Sequence, residues 1–225
     1  MNLIRQSLAI LGKDLLVEWQ TKERLSTMTF FVLLTLLVFH FSFDLGAYEV
    51  HQIGPGVLWS SFIFSSLFGL QRAFADERED GGLDALLLAP ISRSAIYLGK
   101  ASANLVFMLV IELISLPLFA LFFNLSVQGQ LGALLGVFVL GSAGIAAVGT
   151  LFAAMCSNLR LRELLLPLLL VPLIMPALIA SVKATALILT PNPAESLLPY
   201  LRLLAVYTIV FVALALLLFE FVAEE

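Results

Sequence analysis

A single cysteine, Cys156, stands among 225 residues, so a disulfide framework is excluded and the thiol reads as a small packing residue. Histidine is almost as scarce. His40 and His51 are the two present, and no His/Cys group has metal-ligand spacing. Charged residues make up 12% of the chain, against about 25% in soluble domains. The phosphate-cradling pattern Gly-x-x-x-x-Gly-Lys-Ser/Thr is missing. Its nearest approach, Gly99-Lys100-Ala101, has Ser94 at the first glycine position and alanine where the hydroxyl residue belongs. No Gly-x-Ser-x-Gly elbow occurs. The chain is therefore expected to be no enzyme, and any energy it uses must come from another protein. The formal charge of −4 says little, and no nucleic-acid partner is expected.

What is present is apolar sequence. Hydrophobic residues reach 61% and the mean hydropathy is +1.05. A bilayer core about 30 Å thick takes roughly 20 apolar helical residues. Stretches that satisfy this are Leu25–Phe43, Ile53–Leu70, Ala101–Phe123, Leu131–Met155, Leu164–Val182 and Leu203–Val222. They predict an all-α integral membrane fold of six spans, one domain over residues 1–225. Basic residues set the orientation. With the N-terminus inside, Arg5, Lys13, Lys22, Arg24, Arg72, Arg78, Arg93, Lys100, Arg160 and Arg162 are cytoplasmic, and only Lys183 and Arg202 lie outside. Both termini are then expected in the cytoplasm. No cleaved leader is expected, because Met1-Asn2-Leu3-Ile4 has no basic n-region and no cleavage site precedes the first span.

Residues 1–24 read differently. Ile4, Leu8, Leu11, Leu15 and Trp19 fall on one helical face, with Arg5, Lys13, Asp14 and Glu18 mostly elsewhere. This predicts an amphipathic helix in the membrane interface, apolar face toward lipid. Span four is rich in small residues, and its pair Gly132 and Gly136 permits close helix approach, read as packing within the subunit before dimerisation. Span five carries Pro167, Pro172 and Pro176, which remove backbone donors and can bend the helix. The segments assigned to the outside, Asp44–Gln52, Asn124–Gln130 and Lys183–Arg202, are too short for an outer domain.

Charge returns in Gln71–Lys100. Asp80-Gly81-Gly82-Leu83-Asp84-Ala85-Leu86-Leu87-Leu88-Ala89-Pro90 reads as a Gly-Gly turn, a short apolar helix and a proline stop. Leu83, Leu86 and Leu87 form an i, i+3, i+4 face suited to a groove on a soluble partner, with Asp76, Glu77, Glu79, Asp80 and Asp84 at its rim. Glu112 lies in the middle of span three. A charged side chain at that depth costs on the order of 2.5–3.5 kcal/mol, so it is either a functional group or a neutral acid bonded to a neighbouring helix.

Pro55, Gly56 and Trp59 at the start of span two, Asp80, Gly81, Leu83 and Leu86 in the acidic loop, and Pro90, Leu98 and Lys100 before span three together resemble the heme exporter protein B (CcmB) family. Leu166-Pro167-Leu168 in span five is also similar. The loop sequence Glu77-Arg78-Glu79-Asp80-Gly81 further resembles the first cytoplasmic loop of ABC-2-type exporter permeases.

The resemblance implies a type V-like permease of the haem exporter of cytochrome c maturation, in the bacterial inner membrane. It implies a homodimer of the chain bound to two copies of a cytosolic ATP-binding subunit, with ATP entering only through that subunit. A haem-handling membrane protein, a small membrane adaptor and a periplasmic haem chaperone would complete the assembly, with haem as the handled ligand. Asp76, Glu77, Asp80–Asp84, Leu86, Leu87 and Pro90 would then couple to the ATPase, and His40 and His51 become candidate haem-proximal groups. Two other readings stand beside it: an ABC-2 permease for a polysaccharide, lipid or drug, and a membrane-embedded enzyme using Glu112, for which Ser115 is the main second polar group in the same span.

Overall fold

A computed structural model describes residues 3–43, 47–74, 91–125, 128–157, 159, 161–190 and 195–222. These form seven α-helices, a short 3-10 turn at Gln128–Gln130, and no strand among the described residues. The helices are α1 (Leu3–Thr21), α2 (Glu23–Ser42), α3 (Ala47–Gln71), α4 (Arg93–Phe122), α5 (Leu131–Cys156), α6 (Arg162–Leu189) and α7 (Leu198–Val222). The last six are each long and apolar enough to cross a membrane, so the chain is a multi-pass membrane protein.

The helices outrun the hydropathic segments. α4 has 30 residues, about 45 Å at 1.5 Å per residue, which exceeds an apolar core of about 30 Å. Its first two turns, Arg93–Lys100, are helical, whereas the sequence placed them in the charged loop. Ser92 in extended conformation starts the helix, two residues after Pro90. The segment Lys183–Arg202 also shrinks, because α6 continues to Leu189 and α7 begins at Leu198 with Pro199 in its first turn. α6 stays helical through Pro167, Pro172 and Pro176, and the Tyr207 hydroxyl of α7 donates to the Leu173 carbonyl at 3.0 Å.

α5 is the central element, with its heaviest packing against α6 and α7. Three of its glycines seat other helices. A Cβ on Gly141 would run into Ser181 and Trp59, one on Gly144 into Tyr207, and one on Gly149 into Leu70. Gly132 and Gly136, in contrast, have open space where a Cβ would be, so the small-residue pair is unused within the subunit. Packing inside the subunit falls to the other glycines of the same helix. Interhelical bonds in the interior are sparse and specific: Trp59 Nε1 donates to Thr185 Oγ1 at 2.9 Å, and Ser65 Oγ to the Met28 carbonyl at 2.9 Å.

α1 and α2 meet at Lys22, whose backbone is left-handed with φ 56. A lysine side chain makes no cap there. The Glu18 carboxylate does the work instead, accepting from the Leu25 amide at 2.7 Å and satisfying one of α2's free N-terminal donors.

Candidate functional site: a polar base around residues 75–90

The ends of α3 and α4 frame residues 75–90. Gly81, Gly82, Leu83, Asp84, Leu86, Leu87 and Pro90, with Asp76, Glu77 and Asp80, all lie in that segment and outside the described residues. What the structure does describe is the base from which the segment departs and to which it returns.

α1 builds one side of this base. Its buried face is Gln6, Ile10, Asp14 and Glu18, a strict four-residue spacing that puts three polar groups toward the bundle. Ile4, Leu8 and Trp19 point outward, while Leu11 and Leu15 pack partly against the core. Only part of the expected apolar stripe, Ile4, Leu8 and Trp19, is left uncovered by the bundle. The opposite stripe is clamped to α4. Closest approach is at Gly99, where a Cβ would sit 2.7 Å from Ile10 Cβ and 2.9 Å from the Ser7 carbonyl. No larger residue fits that crossing without displacing backbone.

One residue beyond the crossing lies Lys100, 2% exposed. Its ammonium reaches Asp14 Oδ2 at 3.0 Å and Oδ1 at 3.3 Å, and donates to the Ala73 carbonyl at 3.0 Å. The Phe74 ring centroid lies 5.4 Å away. Arg24 of α2 makes a parallel link. It donates to the Arg72 carbonyl at 3.1 Å and to Asn104 Oδ1 at 3.2 Å, and lies over the Phe107 ring. Asn104 passes the connection to Thr150 of α5 through a 2.8 Å bond.

The electrostatic logic is plain. The last carbonyls of a helix have no intrahelical donor and carry the negative end of its dipole. Two buried cations, from two other helices, meet the carbonyls of Arg72 and Ala73 just past α3, and Asp14 balances one of them. On the far side of the segment, Gln6 Oε1 accepts from the Ser92 amide at 3.4 Å and hydroxyl at 3.3 Å. Arg93 then ties the start of α4 to the Glu220 carbonyl in α7. Both flanks of residues 75–90 are thus joined to α1, and one of them also to α2.

Glu112 is elsewhere. It lies 12 residues further along α4, about 18 Å at 1.5 Å per residue, and is 2% exposed. Ser142 of α5 donates to its Oε1, and Oε2 has no hydrogen-bond partner. Ser115, the other polar group proposed for this depth, bonds back to the Glu112 carbonyl at 3.1 Å. That local bond engages the Ser115 hydroxyl with backbone, and the hydroxyl in contact with the carboxyl is that of Ser142 on α5. His40, at the end of α2, and His51, at the start of α3, are at the opposite end of the bundle from Ala73 and Ser92. No group of three or more His, Cys, Asp or Glu residues capable of holding a metal occurs among the described residues.

Sequence reasoning missed Asp14, Arg24, Lys100 and Asn104 as a cluster. A signal was available in the four-residue spacing of Gln6, Asp14 and Glu18, opposite the apolar stripe. Their partners were not legible, since Asp14 and Lys100 are 86 residues apart.

Residues 5–223 match the family described as CcmB protein. The chain belongs to that family. Among its curated relatives, the heme exporter protein B of Rhodobacter capsulatus is 36% identical over 128 residues, 57% of this chain and 58% of that protein. The Paracoccus denitrificans protein of the same name is 35% identical over 133 residues, 59% and 61% of the two chains. The Haemophilus influenzae one is 27% identical over 172 residues, 76% and 77%. The chain thus spans about three fifths of the length of the first two relatives. Pro55, Gly56, Trp59, Leu98 and Lys100, on which the resemblance rested in part, are all in described helices, and Trp59 and Lys100 are both buried and bonded.

Proposed function

We propose that the chain is the permease subunit of an ABC-type haem exporter serving cytochrome c maturation in a bacterial inner membrane, with both termini cytoplasmic. The observation that carries this reading is the CcmB family match over residues 5–223, together with relatives named heme exporter protein B. Two copies would assemble with a cytosolic ATP-binding subunit, a haem-handling membrane protein, a small adaptor and a periplasmic haem chaperone.

In this reading the ATPase grips Leu83, Leu86 and Leu87 in residues 75–90. Movement of that segment pulls on Ala73 and Ser92, and the polar base passes it to α1, α2 and α4. Glu112 then serves transport or a helix shift deeper in α4, since a half-satisfied buried carboxyl can change partner when α4 and α5 move.

The test is a strain lacking the chain. Covalent haem attachment to c-type cytochromes should stop while b-type haem proteins remain loaded. Normal c-type cytochromes in that strain would overturn the proposal. Orientation has its own check, in a Cys156→Ser background. A cysteine at Glu195 should be labelled from the periplasmic side and one at Asp84 only after permeabilisation.

A further inference from the structure

The end of the bundle opposite residues 75–90 carries an open cleft of about 440 Å³, between the end of α2, the start of α3 and the end of α4. That volume is in the range of small-molecule sites, roughly 300–1,000 Å³. Its walls are His40, Asn124 and four phenylalanines, Phe41, Phe43, Phe122 and Phe123. His40 stacks on Phe122 with centroids 5.4 Å apart and meets Phe123 edge-on at 5.9 Å. These ring contacts fix the imidazole without using either nitrogen, and no hydrogen bond to it occurs among the described residues. Beside the cleft, His51 follows the lining residue Val50 and has a buried Nδ1 with no partner.

Each part of this arrangement selects something. Phenylalanine walls favour a flat, polarizable ring system over a branched or charged one. An imidazole with an unused nitrogen lone pair favours a metal centre. Phe41 is 83% exposed at the mouth of the cleft, leaving its ring open for a planar ligand to stack on. One ligand class satisfies all three, a metalloporphyrin entering edge-first with its iron within reach of the histidine.

We propose that this cleft is a haem contact site, with His40 as an axial ligand and Phe41, Phe43 and Phe122 packing on the porphyrin. The proposal rests on the haem-export reading for the identity of the porphyrin metal and places the cargo at one end of the bundle. Neutral imidazole donates a nitrogen lone pair to iron, and no redox step is involved.

The full chain, purified into lipid nanodiscs, would be titrated with haemin and separately with iron-free protoporphyrin. Empty nanodiscs provide the control for partition into lipid. Wild type should bind haemin saturably with a shifted Soret band. His40→Ala should remove that shift and weaken haemin binding by about tenfold or more, while leaving protoporphyrin binding unchanged. Phe41→Ala, at a side chain too exposed to disturb folding, should weaken both ligands.

A Soret shift and haemin affinity retained in His40→Ala, or haemin uptake by wild type no greater than that of empty nanodiscs, overturns the cleft. The two readings also fail separately. Absence of haemin binding, with c-type cytochromes still dependent on the chain, removes the cleft and leaves export standing. Haemin bound at His40, with c-type cytochromes made in the chain's absence, does the reverse.

Discussion

Lys100 and Glu112 share one helix, one degree of burial and opposite satisfaction. Both are 2% exposed on α4. Lys100 is held by the Asp14 carboxylate, a carbonyl and an aromatic face. Glu112 has one serine and an oxygen with no partner. Breaking a buried ion pair by removing one partner costs about 3–5 kcal/mol, because a stranded charge remains. A side-chain hydrogen bond between membrane helices averages only about 0.6 kcal/mol. The same helix therefore contains a fixed joint at its polar end and a weakly held polar group in its interior. A joint transmits motion; a weakly held group can respond to it.

The largest effect is expected at Lys100. Lys100→Met should leave buried Asp14 with only the partly exposed Lys13 ammonium, 3.4 Å away, and lower stability by as much as about 3–5 kcal/mol, read as a fall in thermal midpoint of the solubilised protein and loss from membranes. Adding Asp14→Leu should recover much of that loss, since a buried pair can be replaced by apolar residues at little cost. If the double variant is no better than the single, Lys100 acts mainly through the Ala73 carbonyl.

Arg24→Ala comes next. It removes charge-assisted bonds to the Arg72 carbonyl and Asn104 but strands no opposite charge among the described residues, and should lower the thermal midpoint by less than Lys100→Met does. The smallest effect is expected at Glu112. Glu112→Gln keeps an acceptor for Ser142 and should change stability by no more than about 0.6 kcal/mol while lowering haem attachment to c-type cytochromes. A loss of stability as large as that of Lys100→Met would erase the contrast between the two positions. Normal haem attachment would reduce Glu112 to a structural acid.

How far sequence reached follows the same division. Six membrane helices were legible, because lipid demands long apolar runs and nothing else in a chain looks like one. Glu112 stood out for the same reason, as a lone acid inside such a run. Arg93–Lys100 was misassigned to the loop because hydropathy detects lipid contact and does not detect a helix that outlasts the bilayer. Asp14 read as a polar-face residue, and only the fold reveals that this polar face is the one turned inward. His40 and His51 were visible as residue types, but the phenylalanine walls around His40 come from the ends of two helices, α2 and α4, about 80 residues apart in sequence. The Gly-Gly turn and leucine face expected from the sequence in residues 75–90 fall outside the described residues.

That leucine face is the most direct point of test. In the proposed function a separate ATPase drives the chain through residues 75–90, with the polar base receiving the movement. Leu83→Asp combined with Leu87→Asp removes two leucines worth roughly 1.5–3 kcal/mol each when buried, enough to weaken docking by more than about tenfold. The measurement is the ATP-binding subunit recovered with the tagged permease, alongside haem staining of c-type cytochromes. The account predicts a folded, membrane-inserted permease that no longer retains the ATPase and supports no c-type cytochrome. ATPase recovered at wild-type stoichiometry would contradict it, and would move the docking element to α1 or to the turn between α5 and α6.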